Sequence, residues 1–474
     1  MFTGELHQFV ELYLILIMVY AILIMSSYLI LAHLSVKQLK EHLKKNSFVN
    51  YEVLLSTEFA PHLSLIAPAY NEGMTIEENV KSLLSLNYNN YQVIVVNDGS
   101  KDNSMEILIN TYDLILVELQ FETKIPTKKV KAIYQSRNAA YKKLIVVDKE
   151  NGGKADALNV GLNIAQNPYV VCIDVDCILD KDSLLKLAKP FLESTEKRVI
   201  ATGGVVRIAN QCIIKDGRLV EVNIPDKMLP RIQVLEYLRA FLLGRMAWER
   251  LDGLLLISGA FGAFDKEIAI LSGGYDHKTV GEDMELVVRM RRYMHDKKLP
   301  YTVSYIPDPL CWTEAPESFT IFKKQRSRWM RGTIETLWIH RKMFMNPKYK
   351  LLGTISVPYW TFFEFLAPFI EFLGLLITAV FIILGLLYWH FFLLLVLFVY
   401  FFAVMFSVIA LYSEERTYHK YPKIKDFLKL LGGALIEPLY FHPIAVYAAL
   451  VGYMEKIRGT KGWGEMTRKG FQKK

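Results

Sequence analysis

Hydrophobic and polar positions divide the chain into stretches of two kinds. Residues 10–34 and 354–412 form long, nearly uncharged apolar runs. Each exceeds the roughly 20 apolar residues that a helix needs to cross a bilayer. A third run, 427–454, is broken by Glu437, Pro438, His442 and Pro443. Between the first two, short apolar segments alternate with amphipathic ones. HLSLIAPAYNE, YQVIVVNDGS, KLIVVDKENG and PYVVCIDVDCIL predict strands that are apolar throughout and end in polar residues. MTIEENVKSLLSL, MEILINTY and KADALNVGLNIA predict the helices among them. Continuous apolar strands alternating with helices indicate βαβ units and a mostly parallel sheet. Such sheets bind ligands at the carboxyl ends of their strands. Residues 209–230 predict a hairpin turning at Asp216–Gly217. A helix over RIQVLEYLRAFLLGRMAWERL, the glycine-rich ISGAFGAF, the segment GGYDHKTVGEDMELVVRMRRY and a strand over YTVSYIP follow.

Charge refines this layout. The formal net charge is +8, but the basic residues gather beside the apolar runs: Lys37, Lys40, Lys44 and Lys45 after the first, Arg416, Lys420, Lys423 and Lys425 after the second. Arg458, Lys461, Arg468, Lys469, Lys473 and Lys474 close the chain. This is a positive-inside distribution, and it favours membrane lipid over nucleic acid as the partner. MFTGELHQFVE holds no Lys or Arg, so the first run is expected to be a signal anchor rather than a cleaved signal. The N-terminus is then outside and the central domain cytoplasmic. Cys172, Cys177, Cys212 and Cys311 lack metal-binding spacing and are expected to be free thiols. Four regions result: an anchor with its basic flank over 1–46, a catalytic domain with an interfacial helix over 47–350, membrane and re-entrant or interfacial helices over 351–455, and a basic cytoplasmic tail over 456–474.

Residues 354–412 are long enough for two spans turning at YWHFF, 388–392. Acids inside a span face protein or water, so Glu364 and Glu371, with Pro368, either line a polar path or mark an interfacial entry. Basic flanks on both sides of 427–454 ask for both of its ends on one side, which favours a re-entrant or interfacial kinked pair over a fourth span.

Candidate chemistry sits where the strands end. Asp98 precedes Gly99–Ser100 and either caps the next helix or meets a nucleoside. Asp174 and Asp176 are two apart in DVDC, and on a strand they share a face. A pair of hard oxygen donors suits Mg2+ or Mn2+; two solvated turn acids are the alternative. Lys154 follows two glycines at a helix start, a place suited to an anion. Glu282 and Asp283 begin a helical pattern, answering its dipole or supplying a general base. Gln325 and Arg328 share a helix face. Arg328 offers a planar fork for diphosphate oxygens, and Trp329 offers a ring for a sugar face or a place in the interfacial belt, where Trp338 is also expected.

Taken in order, APAYNE, VVNDGS, GGKADALN, DVDC, GAFGAF, GEDMEL and QRSRW make residues 67–329 resemble the family-2 glycosyltransferases. Within them the chain is similar to the processive membrane synthases of cellulose, chitin, hyaluronan and poly-N-acetylglucosamine. PDPLCWTEAPESFTIFKKQRSRW is most similar to the last type. The resemblance implies an α/β GT-A domain, with a mixed, mostly parallel sheet, inserted between transmembrane helices. It implies that Tyr70, Glu72, Asp98, Lys154 and Asp174 bind a UDP-sugar and that Asp176 binds the metal. Asp283, with Glu282 beside it, would be the catalytic base. Gln325, Arg328 and Trp329 would hold the acceptor and the leaving diphosphate. It implies an inverting reaction that extends a β-linked polysaccharide and passes it across the membrane. Gly281 departs from the family's T-E-D pattern and loses a hydroxyl beside the acceptor. Single transfer to a lipid carrier or glycolipid, and an inactive membrane scaffold, are the competing readings; an accessory subunit is compatible with all of them.

Overall fold

The computed structural model describes residues 2–460 except 48, 50, 52–56, 58, 195 and 216. Asp216 of the expected hairpin turn and the tail from Lys461 onward lie outside the described residues.

Helix α1 (Phe2–Asn46) carries the first apolar run and continues beyond it. Its last turns lie on the central domain, where the Gln38 amide donates to Glu249 at 3.1 Å and His42 meets Asp308 at 2.8 Å. The domain is built on strands β1 (Leu63–Ala69), β2 (Tyr91–Asn97), β3 (Leu114–Leu116), β4 (Val130–Ser136), β5 (Leu144–Lys149) and β6 (Tyr169–Ile173). Strands β7 (Ile178–Leu179), β8 (Arg198–Ile208), β11 (Phe261–Asp265) and β12 (Tyr301–Thr313) complete one ten-stranded sheet, while β9 (Ile213–Lys215) and β10 (Arg218–Glu221) form a separate antiparallel hairpin. The sheet order is β3-β4-β5-β2-β1-β6-β11-β8-β12-β7. β5, β2, β1 and β6 run parallel as neighbours, and so do β8 and β12. β4, β11 and β7 run against them. The sheet is therefore mixed, with most strands pointing one way.

The parallel centre explains the apolar strand sequences. Helices α2 (Ile76–Leu84), α3 (Ser104–Tyr112), α4 (Lys154–Ile164) and α5 (Ser183–Glu193) cover the sheet, so a strand such as β1 is buried on both faces. α4 is buried along most of its length and meets β1 at Gly161, where a Cβ would lie 2.2 Å from an Ile66 methyl. Helix α6 (Met228–Leu238) runs on through a π-helical turn, Arg239–Arg245, to Arg250. α7 (Lys266–Leu271), α8 (Glu282–Asp296) and α9 (Phe319–Ile339) close the domain.

Three further helical segments follow: Leu352–Ile383, which ends in α10 (Ala367–Ile383), then α11 (Trp389–Thr417) and α12 (Ile424–Ile457). Among the described residues, four helices, α1 included, are long and apolar enough to cross a membrane. Two details correct the sequence reading. The turn between α10 and α11 lies at residues 384–388, so it takes only the tyrosine of YWHFF, whose last four residues open α11. The pair expected over 427–454 is one continuous helix, with Pro438 and Pro443 inside it. Neighbouring helices in a bundle support backbone that proline leaves unbonded, and here Glu437, beside the first proline, is buried against Arg239 and Ser407.

Candidate active site

The carboxyl ends of β1, β2 and β5 meet at Asp98. Its backbone N–H donates to Ala69 at 2.9 Å, tying the first two strand ends together. Its carboxylate accepts from the backbone N–H groups of Gly152 (3.0 Å) and Gly153 (2.7 Å) and from the Lys149 ammonium. Lys149 is fully buried and also meets Asp156 at 2.7 Å. The N–H groups expected to approach a phosphate are therefore held by Asp98, which answers the N-terminus of α4 itself. Asp98 is buried here and braces the 150–153 loop. Gly99, at φ +68°, lets Asn151 come close, with its N only 2.8 Å from where a Cβ would lie. Tyr70 and Glu72 stand on the loop after β1; Tyr70 is exposed, and the Glu72 carboxylate accepts from Thr75 at 3.1 Å.

A second cluster lies across the β6 end. β6 stops at Ile173, and DVDC is a turn closed by the Cys177 N–H donating to the Asp174 carbonyl at 3.0 Å. The expectation that Asp174 and Asp176 share a strand face is thus corrected: the chain turns between them. Asp174 reaches the Lys154 ammonium, while Asp176 is buried. Lys154 also lies 3.8 Å from Glu282. Burial pulls the Lys154 ammonium down, but Asp174, Glu282 and Asp283 outweigh it and its pKa is raised. At the start of α8, the Asp283 carboxylate accepts from the backbone N–H of Gly259 and of Met284, both at 2.8 Å. The neighbouring Glu282 is almost wholly buried.

Burial pushes the Glu282 carboxyl up to about 7, against the pull of Lys154 and with that of Asp283. The folded state then holds a proton that the unfolded state releases from its ordinary value of 4.5. Stability from this proton is full below that value and is lost as pH rises through about 7. In chelator and without donor, the melting temperature of the wild type is expected to fall across this window relative to Glu282→Gln. Parallel curves for the two proteins would refute the buried acid.

Helix α9 faces this cluster. Burial pulls the Arg328 guanidinium down, opposed by Glu282, Asp174 and Asp283. One cavity of about 1640 Å³ is lined by Lys154, Asp174, Glu282, Asp283 and Arg328. Gln325 and Trp329 line it too, and so do Glu364, Pro368 and Glu371 from the membrane segment. Tyr70, Glu72, Asp98 and Asp176 are not part of its wall. The predicted residues thus fall into two groups, one outside the cavity at the strand ends and one lining it.

Sequence reasoning missed several neighbours. Arg326 lies over the Trp329 ring at 4.0 Å and over Phe322 at 4.9 Å, and its fork meets Glu236 at 2.5 Å. The first arginine of QRSRW thus partners the tryptophan ring. Arg239 pairs with Glu437 beside the same cavity. Gly281, in place of the expected threonine, abuts Gly332 of α9: a Cβ on it would lie 2.6 Å from the Gly332 Cα. A hydroxyl two residues earlier, Thr279, donates to Glu335 at 2.8 Å.

Among the described residues, no group of three or more His, Cys, Asp or Glu side chains is placed to hold a metal ion. A Mg2+-like ion that shares substrate phosphates needs only one or two carboxylates. The DVDC turn offers that hard-oxygen donor set.

With this geometry in hand, the comparisons place the protein. Residues 169–404 match glycosyl transferase family group 2, and residues 64–120 match glycosyl transferase family 2. The chain belongs to the family-2 glycosyltransferases, on a GT-A domain flanked by membrane-capable helices. It is similar to the poly-beta-1,6-N-acetyl-D-glucosamine synthase of Staphylococcus aureus (strain COL), at 28% identity over 306 residues, which is 64% of this chain and 60% of the relative. The Staphylococcus epidermidis enzyme of the same name is 29% identical over 276 residues, 58% of this chain and 55% of that protein. The match thus spans about 60% or less of these relatives' length. Among solved structures, a mannosyltransferase from Pyrobaculum calidifontis, in complex with GDP-Man and Mn2+, superimposes with a TM-score of 0.51 at 15% identity. That likeness covers 91% of this chain and 100% of the other, and it is one of fold.

Proposed function

We propose that this glycosyltransferase extends a β-linked polysaccharide of N-acetylglucosamine type from a UDP-sugar, with inversion at the anomeric carbon, and passes the chain into the membrane. The observation that carries the reading is the shared cavity: Asp283 and Trp329 line the same space as Glu364 and Glu371 of a membrane-capable helix. Single transfer to a lipid carrier would use a space of the same kind, and product length separates the two. The names of the curated relatives support the sugar class.

In this reading Lys154 and Arg328 face the diphosphate, and Tyr70 and Glu72, on the loop after β1, face the nucleoside together with Asp98. Asp176 would hold Mg2+ or Mn2+, which would neutralise charge on the departing diphosphate, with Asp174 beside the nucleotide. The Asp283 carboxylate takes the proton of the acceptor hydroxyl. The acceptor oxygen bonds to the anomeric carbon as the bond from that carbon to UDP breaks, and UDP leaves with the electron pair. Trp329 stacks on the terminal acceptor sugar, held in place by Arg326. Glu282 keeps Lys154 and Asp283 in register. The basic flanks of α1 and α11 support a cytoplasmic catalytic domain with the N-terminus outside.

The test is radiolabel incorporation by vesicles carrying the full chain, from a panel of UDP-sugars with Mg2+ or Mn2+, with products sized on a gel. Long product from UDP-N-acetylglucosamine alone is expected. Only short or lipid-linked product would overturn the polymerase reading, and a different preferred donor would overturn the sugar class.

A further inference from the structure

The loop that delivers Glu282 and Asp283 to the site is not held by its own domain alone. The Glu335 carboxylate, on α9, accepts from the Thr279 hydroxyl at 2.8 Å and the Val280 N–H at 2.9 Å through one oxygen. Its other oxygen meets the Lys456 ammonium, on the last turn of α12, at 2.7 Å. The Thr279 hydroxyl in turn accepts from the Gly281 N–H at 3.1 Å. α12 is fixed to α9 at further points nearby. Glu455 meets Arg331 at 3.2 Å, and Arg331 donates to the Thr460 carbonyl at 3.1 Å. At Gly452 the two helices touch, since a Cβ there would lie 2.8 Å from the Ser327 carbonyl.

We propose that Glu335 is a positioning residue for the Glu282–Asp283 pair, and that the C-terminal end of α12, a membrane-capable helix, acts on that pair through Lys456. The proposal rests on the reading of Glu282–Asp283 as the reacting pair. A carboxylate suits the task because it is acceptor-only and serves donors on two sides. Glutamine offers a single acceptor oxygen, so either the loop or Lys456 then faces an amide N–H2. A shift of the last transmembrane segment, as when the cavity fills with product, is transmitted to the base by this path.

The test compares full-length Glu335→Gln, Glu335→Ala and Lys456→Met with wild type and Asp283→Asn in nanodiscs. Turnover by Glu335→Ala is expected to fall about 10- to 100-fold, as for a misplaced catalytic group, with smaller losses in the other two. Donor KM and melting temperature are expected to stay near wild type. Amide exchange over residues 279–281 is expected to quicken in all three, a readout independent of turnover. Wild-type turnover in all three, unchanged exchange, or KM and melting temperature falling in step with turnover would overturn the relay. If Glu335→Ala does not fold, Lys456→Met, remote from the loop, decides alone. Full activity of Asp283→Asn would instead refute the reading of the pair, and the exchange data would still decide the relay.

Discussion

Replacing Asp283 by Asn is expected to cut synthesis by about 10²- to 10⁴-fold, the usual contribution of a general base, while UDP binding survives. The change keeps the size of the side chain and removes its ability to take a proton. Two backbone N–H groups, from Gly259 and Met284, hold the carboxylate at 2.8 Å each. The asparagine oxygen can keep one of these bonds, so the start of α8 stays formed. Lys154 and Arg328 remain in place, and the loss of one negative charge near them should leave affinity for a diphosphate equal or slightly raised. Synthesis is measured by incorporation and UDP affinity by calorimetry. Residual synthesis above a tenth of wild type would remove Asp283 from the role of base. Loss of UDP binding together with synthesis would make the residue structural instead.

The fold was legible where burial is complete. β1, β2, β5 and β6 are covered on both faces, and their sequences are mostly apolar. β4 escaped because its residues are mostly half-buried, with Ile133 the single buried position in the strand. β8 and β11 carry glycines at points of close approach, so RVIATGGVVRI and FGAFD give a weak strand signal. The site was legible by residue type more than by geometry. Spacing alone cannot tell a strand from a turn at its end, which is why DVDC was misjudged. Nothing local marks Lys149 as the partner of Asp98, 51 residues away, or Lys456 as that of Glu335, 121 away. Helical spacing puts Gln325 and Arg328 on one face, but only packing shows that Arg326 lies over the Trp329 ring. The single continuous α12 was hidden for another reason: the positive-inside rule speaks of loops, and a helix that carries a buried Glu437 to Arg239 obeys its partners instead.

Restoring the family's threonine at position 281 is expected to inactivate the enzyme rather than improve it. Backbone conformation is not the obstacle, since Gly281 has φ −115°, open to any residue. Space is. A Cβ on Gly281 would lie 2.6 Å from Cα and 3.0 Å from C of Gly332, and a Cβ on Gly332 would lie 2.7 Å from Cα and 2.9 Å from N of Gly281. These are backbone atoms, so no side-chain rotation relieves the contact. Either α9 or the 279–281 loop must move, and the first carries Gln325, Arg328 and Trp329 while the second leads into Glu282 and Asp283. Overpacking of this kind costs about 1–3 kcal/mol of stability, and a displacement near 1 Å at a reacting group costs about 10²-fold in rate. Gly281→Ala should be nearly as harmful, because the β-carbon itself makes the clash. Thr279→Val, which removes a hydroxyl without adding bulk, should do less damage and only loosen the loop from Glu335. Turnover and melting temperature of the three variants separate these effects. An active Gly281→Thr enzyme would mean that α9 and the loop stand further apart in solution. The close glycine pair would then not be the reason this chain does without the threonine.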